Sequence, residues 1–338
     1  METIFNTGID WIVFLQNMGQ WLTGPMKVLT FLGSGEFFLM LIPALYWSID
    51  SRIGIRVGMV FLISGAFIEI MKIAFHHPRP YWFSTLVRAY SSEVSFGAPS
   101  GHTQLSVGLY GMLAYCLKKW WGWLAAVILV LLIGVSRLYL AVHFPHDVIL
   151  GLVFGAIVLG LTIVLWDPVV NWLKHMTTTR QILVALAFSL FLIALNLPGY
   201  LWLKQQWQLP VEWSYNAAQV NPADNPINPL SLELLMTYTG IFFGLAAGLA
   251  WLQRMGGFSS KGTTWQRLLR YVVGIAGVLI IRYGLKVAFP GGDSWLAYFL
   301  HYVRYAVIGL WVTAGAPLVF FWLRLANRSP RLKSRAAG

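Results

Sequence analysis

Residues 120–136 read WWGWLAAVILVLLIGVS, a run of apolar side chains that carries no charge. Two lysines, Lys118 and Lys119, precede this run, and Arg137 follows it directly. A helix rises about 1.5 Å per residue, so a run of this length reaches most of the way across a hydrocarbon core about 30 Å thick. The stretch therefore predicts a membrane-spanning helix bounded by positive charge.

Comparable apolar stretches recur along the chain and indicate its fold class. Hydrophobic residues make up 58% of the 338 residues, charged residues make up 11%, and the mean hydropathy is +0.66. These values do not describe a soluble domain of this length. We therefore predict an all-α, polytopic membrane helical bundle of about nine transmembrane helices. The predicted spans are 28–49, 54–75, 101–117, 120–136, 146–166, 181–198, 231–252, 271–288 and 296–323.

The first 25 residues follow a different pattern. Apolar residues such as Trp11, Phe14 and Trp21 recur at helical spacing beside polar ones. This pattern predicts an amphipathic helix lying in the membrane interface over residues 1–25. A signal peptide is not expected, because Glu2 stands where a positive charge is needed.

The distribution of Lys and Arg predicts the orientation. Fifteen of the 24 basic residues fall on alternating loops, which the positive-inside rule makes cytoplasmic. We therefore expect an integral protein of a bacterial inner membrane or an organelle membrane, with an extracytoplasmic N-terminus and a cytoplasmic C-terminus. The net charge of +12 then reports topology and contact with membrane lipids, and no patch suggests nucleic acid. The fifteen residues are Arg52, Arg56, Lys118, Lys119, Lys174, Arg180, Arg254, Lys261, Arg267, Arg270, Arg324, Arg328, Arg331, Lys333 and Arg335.

Three short motifs follow one another in the first half of the chain, all on the predicted extracytoplasmic side. Together they supply what phosphoryl transfer needs: fixed positive charge, backbone donors at a helix start, and a histidine oriented by a carboxylate. The motifs are Lys72-x6-Arg79-Pro80, Pro99-Ser100-Gly101-His102 and Ser136-Arg137-x5-His143-x3-Asp147.

The spacing within the last two motifs predicts how they are built. Pro145 is a favourable first residue for a helix, and His143 and Asp147 are one helical turn apart. The Asp147 carboxylate can then accept a hydrogen bond from one imidazole nitrogen of His143 and leave the other free as a nucleophile. Ser100 is a natural N-cap and Gly101 permits a tight turn, which would present amide donors to an anion.

In this order, the three motifs resemble the signature of the phosphatidic acid phosphatase type 2 superfamily, with its lipid phosphate phosphatases, glucose-6-phosphatase and vanadium haloperoxidases. The resemblance implies a phosphoric ester hydrolase with a catalytic core over residues 26–170 and a transmembrane extension over residues 171–338. It implies His143 as the nucleophile that becomes a phosphohistidine, with His102 as general acid. No cofactor or metal is expected. The phosphate-binding residues it implies are Lys72, Arg79, Ser100, Gly101 and Arg137.

Each motif also has a structural interpretation. Lys72 and Arg79 are also typical of interface anchors at a helix end, and Pro99-Ser-Gly is a common helix start. Arg137 is placed to pair with Glu69 or Asp147, and Glu69 is one turn from Lys72. A Zn²⁺ site made by His143, His146 and Asp147 is a further alternative.

The second half of the chain offers two further candidates. An external loop over residues 199–230, rich in Trp and Pro, is either a lid, an interfacial lipid platform or a connection. Ionisable residues then gather near the outer ends of the last two spans, where they either recognise a second anionic part of the substrate or pair with Asp293. These possible substrate-binding residues are Arg282, Lys286, His301 and Arg304.

The substrate class divides the interpretations. A site at the outer membrane face favours a lipid such as phosphatidate, a phosphatidylglycerol phosphate or an isoprenyl phosphate. The stretches 79–82 and 143–146 are closer to glucose-6-phosphatase, although Asp147 departs from that branch, which has an amide there. A phosphotransferase shares the first half-reaction, and a transporter is a remote alternative, since no two matching halves are visible. A haloperoxidase is not expected, because those relatives are soluble. Nothing in the sequence indicates the oligomeric state.

Overall fold

A computed structural model describes residues 2–220 and 227–328, and all regular secondary structure in these ranges is helical. The predicted all-α class is therefore confirmed. The helices are α1 (Glu2–Asn17), α2 (Thr23–Leu32), α3 (Gly35–Ala44), α4 (Ser51–Phe75), α5 (Pro80–Phe83), α6 (Gly101–Leu117), α7 (Trp120–Tyr139), α8 (Pro145–Lys174), α9 (Thr178–Gln206), α10 (Val211–Val220), α11 (Glu233–Arg254), α12 (Thr264–Ala288), α13 (Trp295–Leu310) and α14 (Ala316–Trp322). A π-helical turn follows α3 at Leu45–Ile49, and another joins α13 to α14 at Trp311–Gly315.

The predicted count of nine membrane spans is not confirmed. In the described ranges seven helices are long and apolar enough to cross a membrane, or up to eight if a bent pair forms one span. The bent pair falls on the predicted span 28–49, where the helices on either side of Gly33 and Ser34 meet at 48°. The predicted span 101–117 is α6, a helix of 17 residues that buries more than half of its length.

The helix predicted over residues 1–25 is shorter in the structure, because α1 ends at Asn17 and α2 starts at Thr23. Helix α1 is tied to two other segments. The side chain of Gln16 donates to the carbonyl of Arg88 at 2.7 Å and to that of Tyr139 at 2.8 Å. Its amide oxygen also accepts from the Arg88 backbone N–H at 3.0 Å. One side chain therefore fixes α1 to the loop after α5 and to the end of α7. The interfacial location of α1 stays a prediction.

Contacts divide the chain into two compact units. The first comprises Met1–Leu39, Val60–Trp166 and Leu192–Leu235, and it contains all three sequence motifs. One apolar cluster in this unit combines side chains of α1, the α5 segment and residues 139–144, including Ile12, Trp82 and Phe144, each fully buried. This core surrounds the segment that carries His143. The predicted boundary at residues 170 and 171 stays a prediction.

The second unit comprises Met40–Met59, Asp167–Phe191 and Met236–Gly338. Its two π-helical turns bind each other through indole and phenol donors. Trp47 Nε1 donates to the carbonyl of Val312 at 2.8 Å, and the Tyr46 hydroxyl donates to that of Thr313 at 3.2 Å. A π turn disturbs the regular helical pairing of carbonyls, and these side chains satisfy the groups that it exposes.

The predicted external loop over residues 199–230 is wrong in its first part. Helix α9 continues through Pro198 to Gln206, and residues 211–220 form α10. The apolar side chains after Pro198, including the buried Tyr200 and Leu203, extend the buried face of α9. Residues 221–226 of the predicted loop, which include Pro222 and Pro226, lie outside the described residues, as do the basic residues Arg331, Lys333 and Arg335.

Candidate active site

Three buried cations from separate segments meet in the first unit. Lys72 lies in the last turn of α4, Arg79 directly precedes α5, and Arg137 lies in the last turn of α7. Their exposed fractions are only 7%, 1% and 1%. The Ser95 hydroxyl links two of them, at 3.0 Å from Lys72 Nζ and 3.2 Å from Arg79 Nη2. Such buried charges need anionic partners.

The main anionic partner of this cluster is Glu93, which the sequence analysis did not identify. Arg137 Nη2 donates to Glu93 Oε1 at 2.5 Å, and Arg79 Nη2 lies 4.0 Å from Glu93 Oε2. Burial alone would raise the pKa of Glu93, but the charges of Arg79, Arg137, His102 and Lys72 lower it well below the usual range. The carboxylate is therefore ionised at neutral pH. The expected partners of Arg137, Glu69 and Asp147, are not the ones observed.

Glu69 instead pairs with Lys72, as the alternative interpretation predicted. Glu69 Oε1 accepts from Lys72 Nζ at 3.0 Å, and both side chains are buried. The carbonyl of Glu69 also accepts a hydrogen bond from Asn196 of α9 at 3.1 Å. This neighbouring pair neutralises one of the three cations. Arg79 and Arg137 remain to share the single charge of Glu93.

Arg79 also organises the loops around the cluster. Its guanidinium donates to three backbone carbonyls, those of Ser95 at 2.6 Å, Val142 at 2.9 Å and Phe96 at 3.1 Å. Planar, rigid donors suit such fixed geometry. Arg79 therefore holds the loop of residues 84–100 against the segment that precedes His143. A lysine in this position would lose most of these bonds.

His143 lies between a cation and a carboxylate, and its contact with the carboxylate of Asp147 is the one that the spacing predicted. Its Nε2 lies 3.3 Å from Arg79 Nη1, and its Nδ1 lies 3.4 Å from Asp147 Oδ2. A guanidinium only donates hydrogen bonds, so Nε2 must accept and Nδ1 must carry the proton. This assignment leaves the lone pair of Nε2 directed at the cation cluster. Burial, followed by the charges of Arg79 and Arg137, lowers the pKa of His143 well below its usual value.

Asp147 is positioned by the backbone on both sides. Helix α8 begins at Pro145 as predicted, and Asp147 lies in its first turn with no exposed surface. The side-chain Oδ2 of Asp147 accepts a hydrogen bond from the backbone N–H of Phe144 at 2.9 Å. The backbone carbonyl of Asp147 accepts one from the backbone N–H of Ser100, also at 2.9 Å. The third motif thus fixes the start of the second one.

Helix α6 begins at Gly101, with Ser100 at the N-cap position as predicted. The expected side-chain cap is absent, because the Ser100 hydroxyl bonds to the Thr103 hydroxyl at 3.0 Å. The first amides of a helix have no carbonyl partner within it, so this end suits an anion. His102 lies in the first turn of this helix, next to Gly101.

Aromatic side chains line the region next to Arg79. The Arg79 guanidinium lies 5.9 Å from the ring of Trp82, which is 6.1 Å from Trp213 of α10. Trp207 is 6.0 Å from Trp213 and 5.4 Å from Phe96. Asn216 adds a hydrogen bond to the carbonyl of Trp82 at 3.0 Å. The segment 207–216 therefore packs on the loops that build the cation cluster.

The four C-terminal candidates are only partly grouped. His301 Nδ1 lies 3.0 Å from Arg304 Nη2, and its Nε2 lies 2.8 Å from the Thr237 hydroxyl. Arg282 instead lies 5.8 Å from the ring of Tyr283, and Lys286 is exposed. Their role in substrate binding stays a prediction.

Within the described residues, metal-ligand atoms converge in one group, formed by His77, His146 and Asp147. It differs from the zinc alternative of the sequence analysis, because His77 replaces His143. His143 faces the other oxygen of the Asp147 carboxylate.

Sequence reasoning missed three residues of this site, Thr30, Glu93 and Ser95. Thr30 accepts a hydrogen bond from Arg137 at 2.6 Å. All three lie outside the motifs and far from their partners in the sequence. Thr30 and Glu93 are 107 and 44 residues from Arg137, and Ser95 is 16 residues from Arg79. An acidic residue in a loop between two cationic motifs was the only signal.

Comparison with known proteins adds two family matches and several relatives. The profile of the PAP2 superfamily matches residues 54–170, and that of the PAP2 superfamily phosphatase, transmembrane extension, matches residues 236–328. Phosphatidylglycerophosphatase B of Bacillus subtilis is 30% identical over 154 residues, which are 42% of this chain and 73% of that protein. Human glucose-6-phosphatase 3 is 29% identical over 242 residues, which are 63% of this chain and 69% of that protein. A solved structure, the transmembrane PAP2 type phosphatidylglycerolphosphate phosphatase from Bacillus subtilis, is 25% identical with a TM-score of 0.42, covering 48% of this chain and 86% of that one.

Proposed function

Because this chain belongs to the PAP2 superfamily and is an integral membrane phosphatase, we propose that it removes phosphate from a lipid through a phosphohistidine on His143. The observation that carries the proposal is the position of His143 Nε2, 3.3 Å from Arg79 Nη1, with Asp147 behind the opposite nitrogen. The substrate is a phosphate monoester or pyrophosphate of phosphatidate, phosphatidylglycerol phosphate or isoprenyl phosphate type. The reaction proceeds in EDTA.

The first step forms a bond between His143 Nε2 and phosphorus and breaks the bond to the lipid oxygen. His102 gives its proton to the departing alcohol. Asp147 accepts the hydrogen bond of Nδ1–H and stabilises the positive ring that forms. In the second step, the now neutral His102 takes a proton from water, whose oxygen attacks phosphorus and breaks the nitrogen–phosphorus bond. Inorganic phosphate leaves, and both histidines return to their first state.

The charge of the phosphoryl group is balanced by the same cations that now hold Glu93. Arg79 and Arg137 share one carboxylate charge, whereas a phosphate monoester brings about two negative charges and three acceptor oxygens. Lys72, the Ser100 hydroxyl and the amide of Gly101 at the start of α6 complete the donor set. Substrate therefore replaces the Glu93 carboxylate at the two guanidiniums.

Lipid is favoured over a soluble ester by the side chains beside the site. Trp213 packs on Trp207 and on the buried Trp82 next to Arg79; Trp207 and Trp213 are partly exposed, and Trp202 of α9 is 58% exposed. Indole rings suit the boundary between acyl chains and headgroups. Relatives named phosphatidylglycerophosphatase B and lipid phosphate phosphatase delta, the latter from Arabidopsis thaliana, support this choice.

The orientation belongs to the same proposal. The site and the N-terminus lie on the extracytoplasmic side, and the C-terminus lies in the cytoplasm. The alternation of Lys- and Arg-rich loops supports this arrangement.

The test is phosphate release in EDTA by purified protein, over lipid monophosphates, isoprenyl diphosphates and sugar phosphates. We expect His143→Ala to lose at least about 10³-fold in kcat, and His175→Ala, at a turn outside the first unit, to retain activity. Short incubation with ³²P-labelled substrate should trap an acid-labile phosphohistidine in the wild type only. Full activity of His143→Ala would contradict the nucleophile.

A sugar-phosphate phosphatase is the second candidate, supported by human glucose-6-phosphatase 3 among the relatives. Both candidates share the steps above and differ only in the leaving alcohol. In the same substrate panel, a kcat/KM for glucose 6-phosphate above that of every lipid would select this candidate. Phosphate release only when a second alcohol is present would instead select a phosphotransferase.

Recognition of a second anionic group by the C-terminal cations is a separate part of the proposal. His301 and Arg304 are in contact, and Arg282 lies on the preceding helix. We expect Arg282→Ala and Arg304→Ala to raise KM for diphosphates more than for monophosphates. If both variants change the KM of the two substrate classes by the same factor relative to the wild type, this role is excluded.

A further inference from the structure

Behind the nucleophile, three ligand atoms of different residues point at one place. One ligand atom from each of His77, His146 and Asp147 lies within 4.8 Å of the other two. His146 Nε2 is 3.2 Å from Asp147 Oδ1. This oxygen is not the one that faces His143, which is Oδ2. The group is thus attached to the catalytic carboxylate from its opposite side.

One candidate ligand atom of each residue is buried and forms no hydrogen bond of suitable geometry among the described residues, although His146 Nε2 lies 3.2 Å from Asp147 Oδ1. His77 Nδ1, His146 Nε2 and Asp147 Oδ1 each expose almost no surface. The Asp147 side chain as a whole is fully buried. A buried polar atom without a hydrogen bond destabilises the folded protein, so three of them close together indicate a ligand that satisfies them together.

Aromatic rings hold the two imidazoles in place. The ring of Phe5 lies 5.4 Å from His77 and 5.5 Å from His146, and the two imidazoles are 5.5 Å apart. Phe144 stacks on His146 with 5.3 Å between ring centroids and 11° between planes. An apolar shell of this kind fixes ligand orientation and excludes competing water.

We propose that His77, His146 and Asp147 bind a divalent transition metal ion, with Zn²⁺ as the best match. Two imidazole nitrogens and one carboxylate oxygen are ordinary zinc ligands, and a fourth position is left for water. Zinc bonds of about 2.0–2.1 Å place neighbouring ligands about 3.3 Å apart. The separation of His146 and Asp147 already meets this value, and His77 must approach by a modest movement.

The metal acts as an inhibitor, a consequence that rests on the proposed function. Asp147 uses Oδ2 to orient His143 and to stabilise its positive charge. A cation on Oδ1 draws charge from the same carboxylate and opposes formation of a second positive charge next to it. Zn²⁺ therefore lowers kcat of an enzyme that is fully active in EDTA.

Binding is tested on the full chain without any activity measurement. Metal-free protein in detergent is titrated with Zn²⁺ against a chromophoric chelator, and Co²⁺ is added in parallel to observe the visible absorption of a four-coordinate site. We expect one ion per chain, and at least about 10-fold weaker binding in His77→Phe and in His146→Phe. Phenylalanine keeps the ring packing and removes the ligand nitrogen.

The matched control is His76→Asn, which changes the neighbouring histidine. Asparagine suits the left-handed backbone of residue 76, whose φ is 39°. This variant should bind Zn²⁺ like the wild type. No Zn²⁺ bound by the wild type, or equal affinity in the wild type and both Phe variants, would overturn the site.

A second assay tests inhibition. Wild-type phosphate release should fall with Zn²⁺ and return with EDTA, while His146→Phe should lose this sensitivity. Wild-type activity that is unchanged at saturating Zn²⁺ would overturn the inhibitory role. A wild type that binds Zn²⁺ at these three residues but releases no phosphate from any substrate would refute the proposed function and leave the metal site standing.

Discussion

Replacing Glu93 by Gln should make the protein bind phosphate more tightly. The carboxylate occupies Arg137 and Arg79, at 2.5 and 4.0 Å. In our proposal the phosphate of the substrate takes this place, so the free enzyme must break these contacts first. Glutamine is almost the same size and keeps one acceptor oxygen, but it carries no charge. The competition is therefore weakened without creating a cavity.

The size of the effect follows from the contacts that phosphate must break. A hydrogen bond to a charged group contributes about 1.5–3 kcal/mol; the bond that glutamine offers to Arg137 lacks the carboxylate charge and is closer to the neutral value of about 0.5–1.5 kcal/mol. The Glu93 side chain is 29% exposed, so screening favours the lower end of the charged range. The remaining difference of about 1–2 kcal/mol corresponds to a factor of about 5–30 in affinity.

The assay is competitive inhibition by inorganic phosphate near neutral pH, where the lowered pKa of Glu93 keeps the wild-type carboxylate ionised. Ki should fall by this factor in Glu93→Gln and stay unchanged in Glu36→Gln, a control at an exposed position of α3. Without phosphate the variant should also have a lower Tm, because two buried guanidiniums lose their counter-charge. Added phosphate should restore the Tm. An unchanged or higher Ki in the variant would refute the reasoning.

Three further predictions concern the nucleophile and the helix that supports it. Asp147→Asn should lower kcat by about 10³ to 10⁴-fold in single-turnover assays, because an amide nitrogen opposite His143 favours the wrong tautomer; retention of wild-type kcat would contradict the assigned orientation. Since burial and nearby guanidiniums lower the pKa of His143, the neutral ring persists as pH falls, and the acidic limb of kcat/KM should lie below the ordinary value of 6.5; a limb above 6.5 would exclude this group. Gly151→Ala should reduce activity at least about 10-fold, because its Cβ would come within 2.7 Å of the Ser100 carbonyl, whereas Gly160→Ala on the same helix meets nothing within 4 Å and should not change kcat.

Sequence patterns predicted the parts of this protein that depend on neighbouring residues. The start of α6 at Gly101 and of α8 at Pro145, and the approach of His143 to Asp147, all follow from local spacing. The break at Gly33 was missed, because apolar residues continue on both sides and one glycine does not end such a run. The same continuity concealed α9 beyond Pro198.

The partner of Arg137 belongs to the part that local patterns cannot give. Glu93 lies in a loop without periodicity, 44 residues before the arginine that it neutralises. The grouping of His77 with His146 has the same origin, since separate segments bring these residues together. Such pairs are formed by tertiary packing, which cannot be predicted from the spacing of residues along the chain.

The three hydrogen bonds of Gln16 have a consequence for how the protein is made. They join a residue that leaves the ribosome early to backbone groups 72 and 123 positions later in the chain. The entropic cost of bringing two residues together grows only slowly with the number of residues between them. The main consequence of this separation is therefore the time before the partners of Gln16 have been synthesised. Helix α1 must therefore wait at the membrane until the end of α7 has been inserted. A chain synthesised without α1 would still carry every catalytic side chain, but the loop of residues 84–100 would lose one of its anchors, at Arg88.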